Sequence, residues 1–132
     1  MQYLAAITET HPLAFHFSMH NPDNADGPVY VPKLLGPLGY FIEVEAKNSD
    51  GKTVYRSIKP KVRLKLHPSR PESYDLLEPG YTHGIVLQEE ELGGDAGQYS
   101  LKLTYSNMEF KGFPGHLLEE MAFEANLAFN IP

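Results

Sequence analysis

Large apolar residues alternate with small or polar ones along much of this chain. In Leu13–His20 every odd-numbered residue is large and apolar, and Tyr99, Leu101, Leu103 and Tyr105 repeat the pattern in Gly97–Tyr105. Phe123–Ile131 alternates in the same way. A period of two residues is typical of a β-strand that buries one face. Three strands are therefore predicted from these segments.

The clearest predicted hairpin lies in the middle of the chain. Residues 40–46 alternate, residues 48–51 form the turn, and residues 52–58 return. The Asp50–Gly51 pair tolerates the positive φ that a tight hairpin needs. Shorter strands are predicted at residues 29–35, 62–66 and 85–87, with a turn at Pro79–Gly80 and one helical turn near residues 116–121.

These elements predict one domain spanning residues 1–132. Eight or nine strands with no long helix indicate an all-β sandwich or barrel. The 11 prolines and 11 glycines, spread along the chain, agree with many turns and short elements. A chain of 132 residues leaves little room for a second domain.

A short motif before the penultimate predicted strand selects the sandwich. The run Asp95-Ala96-Gly97-Gln98-Tyr99-Ser100-Leu101 resembles the D-x-[AG]-x-Y-x-C run of immunoglobulin-type domains. There the tyrosine forms a tyrosine corner, in which its hydroxyl bonds to nearby backbone. Leu101 stands at the cysteine position and the chain has no tryptophan, so an antibody-type domain is excluded. The resemblance implies an immunoglobulin-like antiparallel β-sandwich; the alternative is that Tyr99 is an ordinary core tyrosine.

A broader resemblance extends over most of the chain. An early strand ending in Asn21 is followed by residues 31–38, the Asp50–Gly51 hairpin, the 77–80 turn and the Tyr99 strand. This order resembles the immunoglobulin-like domain that precedes the catalytic domain in aspzincin-type metalloproteases. It is also similar to small bacterial intracellular proteinase inhibitors. The resemblance implies a protease-associated propeptide, inhibitor or accessory domain whose partner is a protease.

Charge and cysteine content exclude several classes of function. The chain carries 17 acidic and 11 basic residues and a net charge of −6, which disfavours nucleic-acid binding. The basic residues Lys59, Lys61, Arg63 and Lys65 alternate with apolar ones and are interpreted as the solvent face of a strand. Because there is no cysteine, disulfides, thiolate metal sites and cysteine nucleophiles are absent.

The sequence predicts no membrane partner. No stretch approaches the roughly 20 apolar residues of a membrane-spanning helix. The N-terminal residues lack the basic start and the long apolar run of a signal peptide. As written, the chain is expected to be cytoplasmic; it would be secreted or periplasmic if a leader had been removed.

The sequence contains none of the common metal-binding or catalytic motifs. At about 3.3 Å per residue, His16 and His20 on one strand lie roughly 13 Å apart, too far to share one ion. The zinc motif H-E-x-x-H and the nucleophile motif G-x-S-x-G do not occur. Gly51-Lys52-Thr53 lacks the earlier glycine and the following helix of a phosphate-binding loop. The sequence therefore predicts no metal, no cofactor and no enzymatic activity.

The remaining hypothesis is a binding or regulatory module with another protein as its partner. Pro37 and Leu38 lie in a loop suited to docking, and Phe110 and Phe113 lie on a second, glycine-punctuated loop. The two phenylalanines are interpreted either as a lid over the core or as an apolar patch for the partner. One alternative is carbohydrate binding through Tyr30, Tyr55, Tyr74 or Tyr81. The other is a structural homodimer formed through an edge strand.

Overall fold

The protein folds into β-strands that pair only in antiparallel fashion in the part of the chain described. A computed structural model describes residues 1–10, 12–58, 70–89, 95–107 and 123–132. A 3₁₀ turn covers Pro71–Ser73. The strands are β1 (Gln2–Thr10), β2 (Leu13–His20), β3 (Val29–Pro32), β4 (Ile42–Asn48), β5 (Thr53–Arg56), β6 (Tyr74–Leu77), β7 (Thr82–Glu89), β8 (Gly97–Tyr105) and β9 (Phe123–Ile131). Among these residues no helix is long and apolar enough to cross a membrane.

The strands form three sheets with the orders β1-β2-β7, β5-β4-β8-β9 and β3-β6. With β2 as strand B and β8 as strand F, the two larger sheets follow the orders A-B-E and C′-C-F-G of immunoglobulin domains. The prediction of an all-β antiparallel sandwich is confirmed, with nine strands among the described residues. One departure is that β6, which takes the place of strand D, pairs with β3 and not with β7.

The core lies between the two larger sheets, and the predicted alternation builds it. Phe15 and Phe17 point inward from β2, and Leu101, Leu103 and Tyr105 point inward from β8; each is at most 1% exposed. The Phe17 and Tyr105 rings meet across the two sheets at a centroid distance of 5.1 Å. Burying each of these large side chains contributes about 1.5–3 kcal/mol.

An aromatic cluster joins the first strand to the last. Tyr3 stacks on Phe123 at 5.0 Å and lies 5.8 Å from Tyr105. Burial raises the pKa of the Tyr105 hydroxyl, to which the Asn107 side chain is hydrogen-bonded. Since Tyr3 belongs to β1 and Phe123 to β9, the cluster fixes one edge of the sandwich.

Strand β1 was not predicted from the sequence. Its inward side chains, Tyr3, Ala5 and Ile7, pack against the core, but Leu4 on the opposite face is also apolar and is 56% exposed. Because Leu4 on the outer face is apolar, this segment lacks the alternation of apolar and polar residues from which a strand is predicted. Pairing with β2 along its length is what makes this segment a strand.

Other strand limits differ from the predicted ones for local reasons. β3 ends at Pro32, short of the predicted residue 35, because proline interrupts a strand's hydrogen bonding. β7 runs over Thr82–Glu89, beyond the predicted residues 85–87, because it pairs with all of β2. The predicted strand at 62–66 and helical turn at 116–121 lie outside the described residues.

A buried asparagine ties two loops together. Asn21, which follows β2, is 2% exposed. Its side-chain Nδ2 donates hydrogen bonds to the carbonyl oxygens of Gly27 and Leu77, at 3.1 and 2.9 Å. Its backbone N–H donates to Tyr81, and its carbonyl accepts from Gly80. Asn21 therefore ties the loop after β2 to the end of β6 and to the turn before β7.

Candidate functional site

The segment between β3 and β4 lies against β7, an outer strand of its sheet. It contains two of the predicted partner-binding residues: Pro37 is exposed, whereas Leu38 is half-buried and packs on the core. The other two, Phe110 and Phe113, lie outside the described residues. The structure therefore describes two of the four predicted partner-binding residues, and their role in docking stays a prediction.

A small pocket opens between this segment and β7. Its volume is about 170 Å³. Leu34, at its mouth, is 57% exposed, while the neighbouring Leu35 is 2% exposed and anchors the segment in the core. We call this pocket the β7 cleft; it is lined by Lys33, Leu34, Leu35, Gly36, His83, Gly84 and Ile85.

The walls of the β7 cleft are held by several contacts. The Lys33 backbone N–H donates to the Ser73 carbonyl at 2.9 Å, and the Lys33 ammonium lies 3.8 Å from Asp75. On the other wall, the ring Nε2 of His83 is 2.8 Å from the Pro32 carbonyl oxygen. Since both walls are attached to strands, the cleft is preformed.

Tyr99 makes a short contact with the loop before β8. Its hydroxyl donates to the carbonyl oxygen of Asp95 at 2.6 Å, four residues upstream. Its ring stacks on Phe129 at 5.4 Å and packs beside the core. Gly97, which lies between Asp95 and Tyr99 in the chain, has φ +147°, a value that residues with a side chain rarely adopt. The three residues of the motif thus lie together at the start of β8, and the hydrogen bond runs in the direction expected of a tyrosine corner.

The tyrosines proposed for carbohydrate stacking are mostly covered. Tyr74 is 4% exposed, so its ring has no face open to a sugar. Tyr30 and Tyr55 are half-buried and pack on the core. Tyr81 is 66% exposed and is the member of the set that could act as a platform.

The histidines within the described ranges make separate contacts and do not form one site. His20 shares a hydrogen bond of 2.8 Å with the Thr82 hydroxyl across the outer face of β2 and β7, and His16 lies on the same face. His83 contacts Pro32 on the other side of β7. No three metal-ligating side chains come together within the described ranges. His11, His67 and His116 lie outside them.

A polar groove of about 220 Å³ crosses the outer face of the opposite sheet. Its centre is an ion pair: Arg56 donates from Nε and Nη2 to one carboxylate oxygen of Glu45, at 3.1 and 2.9 Å. The hydrogen bond from Arg56 holds the pKa of Glu45 below its usual range, with help from the charges of Arg56 and Lys47. The groove is lined by Glu43, Val44, Glu45, Arg56, Ser57, Lys102 and Thr104.

Replacing this carboxylate should change the acid dependence of stability. Because the folded-state pKa of Glu45 is lowered, its contribution is present above the ordinary carboxyl pKa of about 4.3 and is lost as the pH falls further. We expect Glu45→Gln to be slightly less stable than wild type near neutral pH and to converge with it as the pH falls through the lowered folded-state pKa of Glu45. Urea unfolding measured across this pH range checks the result.

Glu43→Gln is the control for that experiment. Glu43 lies two residues away on the same face of β4 and is exposed. This variant should follow the wild-type profile. A Glu45→Gln difference that persists unchanged at acid pH would contradict a role for the Arg56 pair, and added salt should shrink the neutral-pH difference.

Fold and surface together define an all-β sandwich with immunoglobulin-type strand order and a preformed cleft beside β7. No protein-family model matches the chain, and no curated protein sequence matches it. The sequence predicted a docking loop in the segment that forms one wall of the cleft. It did not predict that Leu34 lies at the mouth of the cleft or that β7 forms the opposing wall. The available signal was the Leu34–Leu35 pair, in which two adjacent residues of an extended segment point in opposite directions.

Proposed function

We propose that this protein is a non-catalytic binding module that docks a partner protein at the β7 cleft. The observation that carries the proposal is an exposed Leu34 beside a preformed, mostly apolar pocket of about 170 Å³. Protein interfaces typically centre on a few anchor side chains that fill such pockets. The cleft would receive one apolar side chain of the partner, with Leu34 packing beside it.

The rigidity of the cleft supports this use. Binding costs free energy when loops must be ordered, and a preformed site avoids part of that cost. Lys33 and His83 are both fixed by bonds to the β3–β6 region, so little reorganisation is required.

The size and chemistry of the described pockets support binding over catalysis. Sites for small molecules usually enclose about 300–1,000 Å³, more than the β7 cleft or the polar groove offers. In the groove, the lowered pKa of Glu45 is opposite to the raised value that a general acid near neutral pH requires. The Ser57 hydroxyl accepts a hydrogen bond from the backbone N–H of Val44 at 2.9 Å, which gives it a structural task.

We further propose a protease as the partner class. This part rests on the resemblance of residues 31–38 and the later turns to protease-associated domains and proteinase inhibitors. The β7 cleft is formed largely by residues of the same 31–38 segment. An inhibitor or accessory domain would use this surface to hold the protease.

Substitution of Leu34 tests the docking site. Leu34→Asp should weaken capture of the partner at least about tenfold, because it places a charge against an apolar anchor. Stability should change by less than about 0.5 kcal/mol, since Leu34 is exposed. The measurement is quantitative affinity purification from the native organism, comparing wild type and variant, together with thermal unfolding.

The matched control is Asn126→Asp, which adds the same charge on the exposed outer face of β9 with almost no change of shape. A protein that is retained by this control and lost by Leu34→Asp supports the β7 cleft. Equal recovery with both variants would rule the cleft out. Inhibition of an aspzincin-type metalloprotease by wild type and not by Leu34→Asp would establish the protease class.

A further inference from the structure

Strand β7 has a long edge that no described strand covers. It lies at the end of the β1-β2-β7 order, because β6, which takes the place of strand D, pairs with β3 instead. All eight residues of β7 pair with β2 in an unbroken register. Within the described ranges no other strand pairs with β7, so its second side is open. We call this open side of the strand the β7 edge.

The hydrogen bonding between β2 and β7 determines which backbone groups lie on the β7 edge. In antiparallel strands, residues that exchange hydrogen bonds with the neighbour alternate with residues whose N–H and C=O groups point the other way. The Asn21 N–H donates to the Tyr81 carbonyl oxygen at 3.0 Å, in continuation of the β2–β7 register. Every second residue counted from Tyr81 therefore bonds to β2. The residues between them, whose backbone groups point to the β7 edge, are Thr82, Gly84, Val86 and Gln88.

Strand β7 lacks the features by which proteins usually protect an open sheet edge. Such edges are commonly short, bulged, or marked by proline or lysine. β1 has an irregular register between Ile7 and Glu9, and β5 is four residues long and carries Arg56. β7 is eight residues long and regular, and it contains no proline, lysine or arginine. An edge of this kind is suited to pairing with a further strand.

The inward side chains of β7 are only partly covered. Ile85 and Leu87 are half-buried, whereas Phe17 and Phe15, their partners on β2, are fully buried. Ile85 also lines the β7 cleft, together with residues 33–36. Since neighbouring strands lie about 4.8 Å apart, a strand added at the β7 edge would direct every second side chain towards this apolar surface. The backbone groups of the edge and the cleft beside it therefore suit the same ligand.

We propose that the β7 edge binds an extended segment of the partner protein as an additional strand. This inference rests on the proposed docking of a partner at the β7 cleft and names the form in which that partner binds. The segment pairs with the open N–H and C=O groups of β7, and one of its side chains enters the cleft beside Leu34. In this mode of recognition, main-chain hydrogen bonds give affinity and pockets for alternate side chains give specificity.

The chemistry of the β7 edge defines the segment that it binds. A helix bonds its own N–H and C=O groups internally, so it has none to offer to β7. An extended segment has the same alternation of backbone groups as β7 itself. Its inward side chains should be apolar at two alternate positions, one in the cleft beside Leu34 and Ile85 and the next over Leu87. An acidic side chain is not required, since the Lys33 ammonium already lies 3.8 Å from Asp75.

Phage-displayed linear peptides selected on the full chain are the probe for this inference. We expect the selected peptides to carry apolar residues at alternate positions. Val86→Pro removes one N–H from the β7 edge without removing a hydrogen bond to β2, and it should weaken peptide binding at least about tenfold. Val54→Pro, at an exposed valine of the outer strand β5 of the other sheet, is the matched control and should bind the peptide like wild type. Thermal unfolding of both variants checks that they are folded.

N-methylation of the selected peptide tests the pairing on the wild-type protein. In a paired strand every second N–H faces β7, so methylating the residues one at a time should weaken binding at alternate positions only. Hydrogen exchange should show that the peptide protects the Val86 N–H, which exchanges quickly in the free protein, whereas the Leu87 N–H is protected in both states. A selection that yields no peptide weakened by Val86→Pro, or N-methylation effects without alternation, would overturn the proposal.

Leu34→Asp separates strand pairing from docking at the cleft. If Leu34→Asp loses the partner protein and Val86→Pro retains it, docking at the β7 cleft stands and strand pairing is wrong. If the N-methylation effects alternate while Leu34→Asp binds the peptide like wild type, strand pairing stands and the cleft is not the docking site. Loss of binding in both variants, with Val54→Pro unchanged, supports both proposals.

Discussion

Replacing Phe17 with alanine is expected to destabilise the protein by about 3–5 kcal/mol, which is the cost of deleting a buried aromatic ring. Phe17 is fully buried, and its ring lies 5.1 Å from Tyr105, 6.1 Å from Tyr3 and 6.0 Å from Phe123. The deletion would leave a cavity where both sheets and both terminal strands meet. Since domains of this size are stable by about 5–15 kcal/mol, much of the variant should be close to unfolding at 37 °C.

Urea unfolding followed by tyrosine fluorescence and circular dichroism measures this effect. Phe17→Leu is the graded control, because it keeps most of the volume and should cost less than about 2 kcal/mol. The order wild type, Phe17→Leu, Phe17→Ala is therefore expected in the transition midpoints. A loss below about 1 kcal/mol for Phe17→Ala would mean that the sheets do not pack through this ring.

Asn21→Ala is expected to cost about 2–4 kcal/mol, although it removes only a small polar side chain. The loss arises from the hydrogen-bond partners of Asn21, because the carbonyl oxygen of Leu77 would lose a buried hydrogen bond and that of Gly27 a part-buried one. Thermal and urea unfolding measure it. Hydrogen exchange should report faster exchange in the turn at Gly80 and Tyr81, whose backbone bonds to Asn21 are close by.

Asn130→Ala is the matched control, because Asn130 is an exposed asparagine on the outer face of β9. It should change stability by less than about 0.5 kcal/mol. If Asn21→Ala were equally mild, the hydrogen bonds of Asn21 would not hold the β2–β3 loop and the β6–β7 loop together.

The alternation of apolar and polar residues predicted the strands that bury one face and expose the other to solvent. β8 and β9 were predicted with the limits that the structure gives, because apolar and polar residues alternate along each of them. The Asp50–Gly51 hairpin was predicted for the same local reasons, and Gly51 has the positive φ of 80° that its turn requires. β1 was not predicted, because Leu4 on its outer face is apolar and breaks the alternation.

The candidate site could be predicted only in part from the sequence. Pro37 and Leu38 predicted a surface loop in the segment after β3, but the proximity of that segment to His83 and Ile85 depends on how it returns to β7.

The sequence by itself determined which residues face inward, where the chain turns, and that the protein is an antiparallel sandwich without cysteine chemistry. These properties depend on neighbours within a few residues, and the period of two records them directly. Only the tertiary structure decided that β6 pairs with β3, that Asn21 is buried, and that Leu4 and Val86 share a face. Such properties depend on residues far apart in the chain, whose meeting is set by packing of the whole core.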